Sequence, residues 1–103
     1  MRNYSVYSVS QMIKTFKHKG LKKFFESGNT SGIKSEHSTK ILDRLTFLHT
    51  ATCIDDMDIP GYRLHSLKGK LAGHWAINVS GNWRIVFRFE DGDAYVVNYE
   101  DYH

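Results

Sequence analysis

The last third of the chain alternates between apolar and polar positions. Trp83, Ile85, Phe87 and Phe89 fall on one parity, and Asn82, Arg84, Val86 and Arg88 fall on the other. Period two with β-branched and aromatic residues predicts a strand buried on one face. Turn signals at Lys68-Gly69, Ala72-Gly73, Ser80-Gly81-Asn82 and Asp91-Gly92-Asp93 punctuate this region. They predict strands near Tyr62–Ser66, His74–Val79, Trp83–Phe89 and Ala94–Tyr99. Successive strands with short links predict an antiparallel meander.

Upstream the period changes. Leu21, Phe24 and Phe25 stand at i, i+3 and i+4, with Lys22, Lys23 and Glu26 between and after them. That spacing predicts a short amphipathic helix, and Gly28 supplies its stop. Ile41, Leu45 and Leu48 repeat at i, i+4 and i+7. They predict a second helix over about Ser35 to Thr50, with Ser35 as N-cap and Glu36 in the first turn. His18, His37 and His49 read as helix-surface residues. Ile13 to Phe16 reads as a first strand. Residues 1–11 alternate Tyr and Val with Ser and read as an N-terminal extension that adds little to a core over residues 12–103. The architecture expected is α+β: one N-terminal strand, two helices, then a three- to four-stranded antiparallel meander with the helices on one face.

Composition narrows the class. A chain of 103 residues is one domain. Its apolar content of 41% argues against disorder. The net charge of +3 is mild, but its placement is uneven. Between Pro60 and Phe89 there is no Asp or Glu, while Arg63, Lys68, Lys70, Arg84 and Arg88 all fall there. A sheet with a cationic face suits an anionic partner. Cys53 is the single cysteine, so neither an internal disulfide nor a thiolate zinc site can form. A reducing compartment and no structural metal are expected. No apolar run approaches the roughly 20 residues of a membrane span, so a soluble cytoplasmic protein is expected.

Several residues carry candidate chemistry. His65 and Lys68 flank a strand end and a Gly turn, and Arg84 lies on the outward parity of a later strand. Lys and Arg can neutralise charge on phosphoryl oxygens. A His can move protons near neutral pH. The same residues would also make a merely solvated basic face. Asp101-Tyr102-His103 places a carboxylate, a phenol and an imidazole at the very end, where a chain usually frays. Trp75 and Trp83 read as core residues. Asp55, Asp56 and Asp58 lack the Gly and Glu of a calcium loop. There is no Gly-rich phosphate loop, no Gly-x-Ser-x-Gly and no Cys/His nucleophile pair.

Four blocks together resemble a known family. They are Met12-Ile13-Lys14-Thr15-Phe16-Lys17-His18-Lys19-Gly20-Leu21, Leu64-His65-Ser66-Leu67-Lys68-Gly69, Asn82-Trp83-Arg84-Ile85-Val86-Phe87 and Asn98-Tyr99-Glu100-Asp101-Tyr102-His103. In this order they resemble the HigB toxins of the RelE/ParE toxin–antitoxin superfamily, over Met12 to His103. The resemblance implies a RelE-like sheet with two N-terminal helices. It implies a ribosome-dependent endoribonuclease that cuts mRNA in the decoding site. It also implies a helix-turn-helix, HigA-like antitoxin, in a higher-order complex that binds operator DNA through the antitoxin. Neither metal nor cofactor is expected.

By motif, the resemblance makes His65, Lys68, Arg84, Asp101, Tyr102 and His103 the active-site positions. Arg63, Lys70 and Arg88 become candidate RNA contacts. RNA supplies its own nucleophile, the 2′-OH beside the scissile phosphate. Arg84 and Lys68 would hold that phosphate. His65, Asp101 and His103 are the candidates for proton transfer, with base and acid unassigned, and Tyr102 would stack on a base or orient the phosphate. Ser66 stands where the family often has Pro, and residues 1–11 have no counterpart. Two other functions fit the same residues. One is a ParE-like, non-enzymatic topoisomerase poison, which does not need the His, Lys, Arg and tail combination. The other is an RNA-binding module without cleavage.

Overall fold

Leu21 and Phe24 need cover, and the helix they define supplies it. In a computed structural model, which describes residues 12–102, α1 spans Lys19–Ser27 and buries both. The expected extension over residues 1–11 and the terminal His103 lie outside the described residues. Helix α1 ends as expected at Gly28, whose φ of 80° lets its N–H reach Phe24 O at 2.8 Å. Its other end departs from the expected surface position of His18. His18 is no surface residue: it is the N-cap, and its Nδ1 accepts from the Leu21 N–H at 3.0 Å.

That cap needs an unprotonated Nδ1, and burial lowers the His18 pKa from its ordinary 6.5. The unfolded chain therefore takes up the proton first. The cap's contribution is complete above about pH 6.5 and is lost as pH falls through the lowered folded value. Asn caps helices without titrating. His18→Asn is expected to lose less melting temperature than the parent between about pH 8 and pH 5, as read by circular dichroism.

A second close contact fixes the loop after α1. A Cβ on Gly20 would lie 2.6 Å from Gly32 O, and one on Gly32 would lie 2.5 Å from Gly20 Cα. Two backbones cross where only glycine fits. Gly20→Ala is expected to cost about 2–3 kcal/mol in urea denaturation, since neither backbone can step aside without moving its element.

Helix α2 spans Ser38–Thr50, after a single 3₁₀ turn at Ser35–His37. The cap expected at Ser35 is absent: Ser35 begins the 3₁₀ turn, and His37 precedes α2 without a side-chain cap bond. Ile41, Leu45 and Leu48 are fully buried, as their spacing required. His37 and His49 also leave the surface. His37 lies 2.7 Å from the Tyr99 hydroxyl through Nδ1, and His49 Nδ1 accepts from the Ile13 N–H at 3.2 Å. Sequence parity could not show that strand and N-terminal backbone return to cover these two rings.

The sheet holds β1 (His65–Ser66), β2 (Trp75–Ser80), β3 (Trp83–Glu90) and β4 (Asp93–Asp101) in order 1-2-3-4. Every pairing is antiparallel. Ile77, Val79, Ile85, Phe87, Val97 and Tyr99 face the helices and form one core with them. Trp75 and Trp83 pack against its margin. Strand β1 is shorter than expected because Arg63 takes φ 52°, which breaks the extended run after Tyr62. Tyr62 instead turns into the core, and its hydroxyl donates to Asp43 Oδ2 at 2.5 Å.

Residues 13–16 run parallel along the free edge of β4, but make only two isolated bridges, Ile13 to Ala94 and Phe16 to Val97. The expected first strand is thus reduced to a strap. The reason is a bulge in β4. Val86 opposes Asn98 and Arg88 opposes Tyr95, so Val96 and Val97 share one place opposite Phe87. Val96 takes φ 48°, and its N–H is bound by the Thr15 hydroxyl at 2.7 Å in place of a backbone partner. The strap still covers an edge that would otherwise be open to another chain.

Candidate active site

On the face of the sheet away from the helices, register decides what meets. Arg84 of β3 lies opposite Asn78 of β2 and Glu100 of β4. Its Nε and Nη2 donate to one oxygen, Glu100 Oε2, at 2.8 and 2.6 Å. Its guanidinium carbon lies 4.0 Å from the centre of the Tyr102 ring. The arginine is therefore fixed on two sides, by a charge-assisted bond and by a stacked phenol. The side chain is 11% exposed, whereas Tyr102 is 56% exposed.

Asp101 and Tyr102 are held rather than frayed. Strand β4 continues two residues past the expected Tyr99, with Asp101 opposite Trp83. Tyr102 then donates its N–H to Asn82 O at 2.8 Å. Anchoring by a strand and a turn gives Asp101 and Tyr102 the rigidity that a site needs.

The Arg84–Tyr102 stack is a wall between two depressions. On one side is a cavity of about 170 Å³, lined by Arg63, His65, Asn78, Asn82 and the stack itself. On the other is one of about 360 Å³, lined by Leu67, Lys68, Lys70, Leu71 and the same stack. His65, Lys68, Arg84 and Tyr102, which are scattered over 38 positions of the sequence, thus share one cleft. Lys68 precedes a 3₁₀ turn at Gly69–Leu71, and that turn swings Lys68 and Lys70 over the sheet face.

The state of His65 follows from its neighbour. His65 Nδ1 lies 2.8 Å from the Arg63 carbonyl oxygen, which can only accept. The neutral ring therefore carries its proton on Nδ1 and presents a lone pair on Nε2. The left-handed turn at Arg63 is what places that carbonyl.

Other candidates lie elsewhere. Asp101 has the parity of Tyr99 and lines neither depression. Burial first, then the charges of Glu36 and Asp101, raise Tyr99 above the usual phenol range. Arg88 lines neither depression and pairs with Glu90 at 2.7 Å. Sequence reasoning missed Glu100, Asn78 and Asn82. Glu100 lay inside the terminal block, and its link to Arg84 needs the register past the bulge.

One family's sequence model, that of the RelE-like toxin of type II toxin–antitoxin system HigB, matches residues 14–103. The chain belongs to this family. The HigB-like toxin is 54% identical over 92 residues to the Endoribonuclease HigB of Proteus vulgaris, covering 89% of this chain and 100% of the relative. It is 33% identical over 81 residues to Toxin HigB-1 of Vibrio cholerae, covering 77% of this chain and 85% of that one. As a toxin of a type II system it has an antitoxin partner. No helix among the described residues is long and apolar enough to cross a membrane.

Proposed function

We propose that this HigB-like toxin is an endoribonuclease that inhibits translation by cutting mRNA in the ribosomal decoding site. The observation that carries this is the Arg84–Tyr102 wall, which joins a histidine-bearing depression to a lysine-bearing one. A phosphodiester set across that wall meets two cations and a ring nitrogen free to accept a proton.

The reaction follows from these groups. His65 Nε2 takes the proton of the 2′-OH, which attacks the adjacent phosphorus in line. Arg84 and Lys68 stabilise the charge that grows on the non-bridging oxygens. The P–O5′ bond breaks, and His103, beside Tyr102 in the sequence, protonates the leaving 5′-oxygen. The products are a 2′,3′-cyclic phosphate and a 5′-OH. Asp101, in the same terminal block, is the alternative proton donor. No step calls on a metal. Tyr102 holds Arg84 and offers its exposed ring to a base. Arg63 and Lys70, at the outer margins of the cleft, draw in the RNA backbone. Arg88 adds to the field of the same sheet.

The ribosome splays the mRNA and presents it, so free RNA is a poor substrate. The partner that neutralises the toxin is a HigA-like helix-turn-helix antitoxin, in a higher-order complex that binds operator DNA through the antitoxin. The site of action is the cytoplasm. Residues 1–11 are an extension, and the toxin domain occupies residues 12–103. Expression of the toxin alone, followed by primer extension on cellular mRNA, tests the proposal. Cuts inside translated codons are expected. Intact mRNA with inhibited DNA gyrase would put a ParE-like topoisomerase poison in its place.

A further inference from the structure

A cluster that no step above uses joins α2 to the histidine-bearing depression. It is built from Asp43 and Arg44 of the helix and from Tyr62, the residue before the left-handed Arg63. The Tyr62 ring is buried, with the Arg44 guanidinium carbon 4.3 Å from its centre and the Phe47 ring set edge-on to it. Its hydroxyl donates to Asp43 Oδ2. Burial first, and then Asp43, raise that hydroxyl above the usual phenol range, so it keeps its proton and stays a donor.

The backbone of Tyr62 is held as well. Its N–H donates to Ile59 O at 2.9 Å, and its carbonyl accepts from the Asn78 N–H at 2.6 Å. The Asn78 carbonyl accepts from Arg44 Nε at 2.6 Å. The guanidinium thus stands where a regular ladder would have put the Tyr62 N–H.

This pairing leaves one residue too many. Asn78 meets Tyr62, while Ala76 lies opposite His65. Two steps along β2 therefore face three along the incoming chain, and Arg63 absorbs the excess at φ 52°. A bulge with a left-handed residue usually takes glycine there. A residue with a Cβ stays in that conformation only when its surroundings enforce it. The fixed points on either side are Tyr62 and the pairing of β1. In a regular strand the Arg63 carbonyl would point along the ladder, at right angles to a side chain two residues on. The bulge turns it to the His65 ring, 2.8 Å from Nδ1.

We propose that Tyr62, clamped by Asp43 and Arg44, is a positioning residue for proton transfer: it enforces the bulge whose carbonyl keeps the His65 proton on Nδ1 and the Nε2 lone pair free. The proposal rests on the cleavage reading above, in which His65 takes the 2′-OH proton. Tyr62 lines neither depression, so it acts through His65 and not on RNA binding.

The test reads the tautomer and the rate separately. Nitrogen-15 spectra of the full-length toxin at about pH 8, where a histidine is neutral, give the His65 tautomer, and His65→Gln identifies its signals. The wild type is expected to show the Nδ1–H form. In Tyr62→Leu the Nε2–H form, which a histidine in water favours, is expected to predominate. That form has no lone pair on Nε2, so kcat for mRNA cleavage on the ribosome should fall with the competent fraction, by about five- to tenfold, with KM unchanged. Tyr62→Phe keeps the ring and loses one hydroxyl bond, so it should restore the tautomer and bring kcat within about threefold of the wild type. Circular dichroism checks the fold. If Tyr62→Leu does not fold, Asp43→Ala decides, because Asp43 is half exposed and its loss spares the core; it should move both readouts the same way, kcat by about twofold. A folded deciding variant that keeps the Nδ1–H form would overturn the proposal and leave the cleavage reading standing. A shifted tautomer with undiminished kcat would keep the link from Tyr62 to the ring and overturn His65 as proton acceptor. A wild-type ring in the Nε2–H form would overturn both.

Discussion

Arg84→Ala is expected to slow mRNA cleavage on the ribosome by a factor of about 10² or more, the usual effect of removing one donor aimed at developing charge. The reason is local. Arg84 is the one described side chain common to both depressions that carries a positive charge. Its orientation is set before substrate arrives, by Glu100 on one edge and the Tyr102 ring on one face. The fold should survive the change. Glu100 is 30% exposed, so water can replace the lost guanidinium. A melting curve within a few degrees of the parent is the control. Arg84→Lys separates charge from geometry. A lysine keeps the charge but offers neither the planar fork nor the stack, so it should recover only a minor part of the lost rate.

Removing Tyr102 and His103 is expected to abolish toxicity and cleavage while leaving most ribosome affinity in place. Deletion takes away the ring that supports Arg84 and the imidazole assigned to the leaving oxygen. It spares the surface that binds the ribosome. Arg63, Lys68 and Lys70 are exposed cations on other elements, and phosphate contacts supply affinity without regard to chemistry. The core is also untouched, because the last deeply buried side chain of β4 is Tyr99. Ribosome pelleting and primer extension on the same truncated protein measure the two properties separately. A truncated toxin that still cut mRNA at a near-normal rate would remove the tail from the site.

Much of the fold could be read from spacing. Leu21, Phe24 and Gly28 defined α1, because helical period and left-handed cap are local properties. The parity of Ile85 and Phe87 against Arg84 gave the two faces of β3, since side chains alternate whatever the neighbours are. Most of what failed was long-range. His37 and His49 looked solvent-facing, yet each binds a group brought from far along the chain; His18 was missed locally, as the N-cap that accepts from the Leu21 N–H three residues on. Gly20 and Gly32 gave no sign that they touch. The strand expected from Tyr62 was cut short by a left-handed Arg63, which no sequence pattern announces.

The candidate site was legible in part, for the same reason. The acid-free block pointed to a cationic face, and the motif resemblance named His65, Lys68, Arg84 and Tyr102, which the fold gathers around one wall. The sequence could not reveal that an acid crosses to that face. Glu100 reaches Arg84 only because β4 pairs in one register beyond its bulge. Nor could it assign a proton to His65, because the deciding partner is a backbone carbonyl.

One measurement tests the central claim most directly. Ribosomes are programmed with an mRNA carrying a single 2′-deoxynucleotide just 5′ of the scissile phosphate, and single-turnover cleavage is compared with the all-ribose mRNA. If the toxin uses the substrate's own hydroxyl, the ribose mRNA is cut at its normal rate to a 2′,3′-cyclic phosphate, and the deoxy mRNA stays intact at that position. Cleavage of the deoxy mRNA at that position would contradict it.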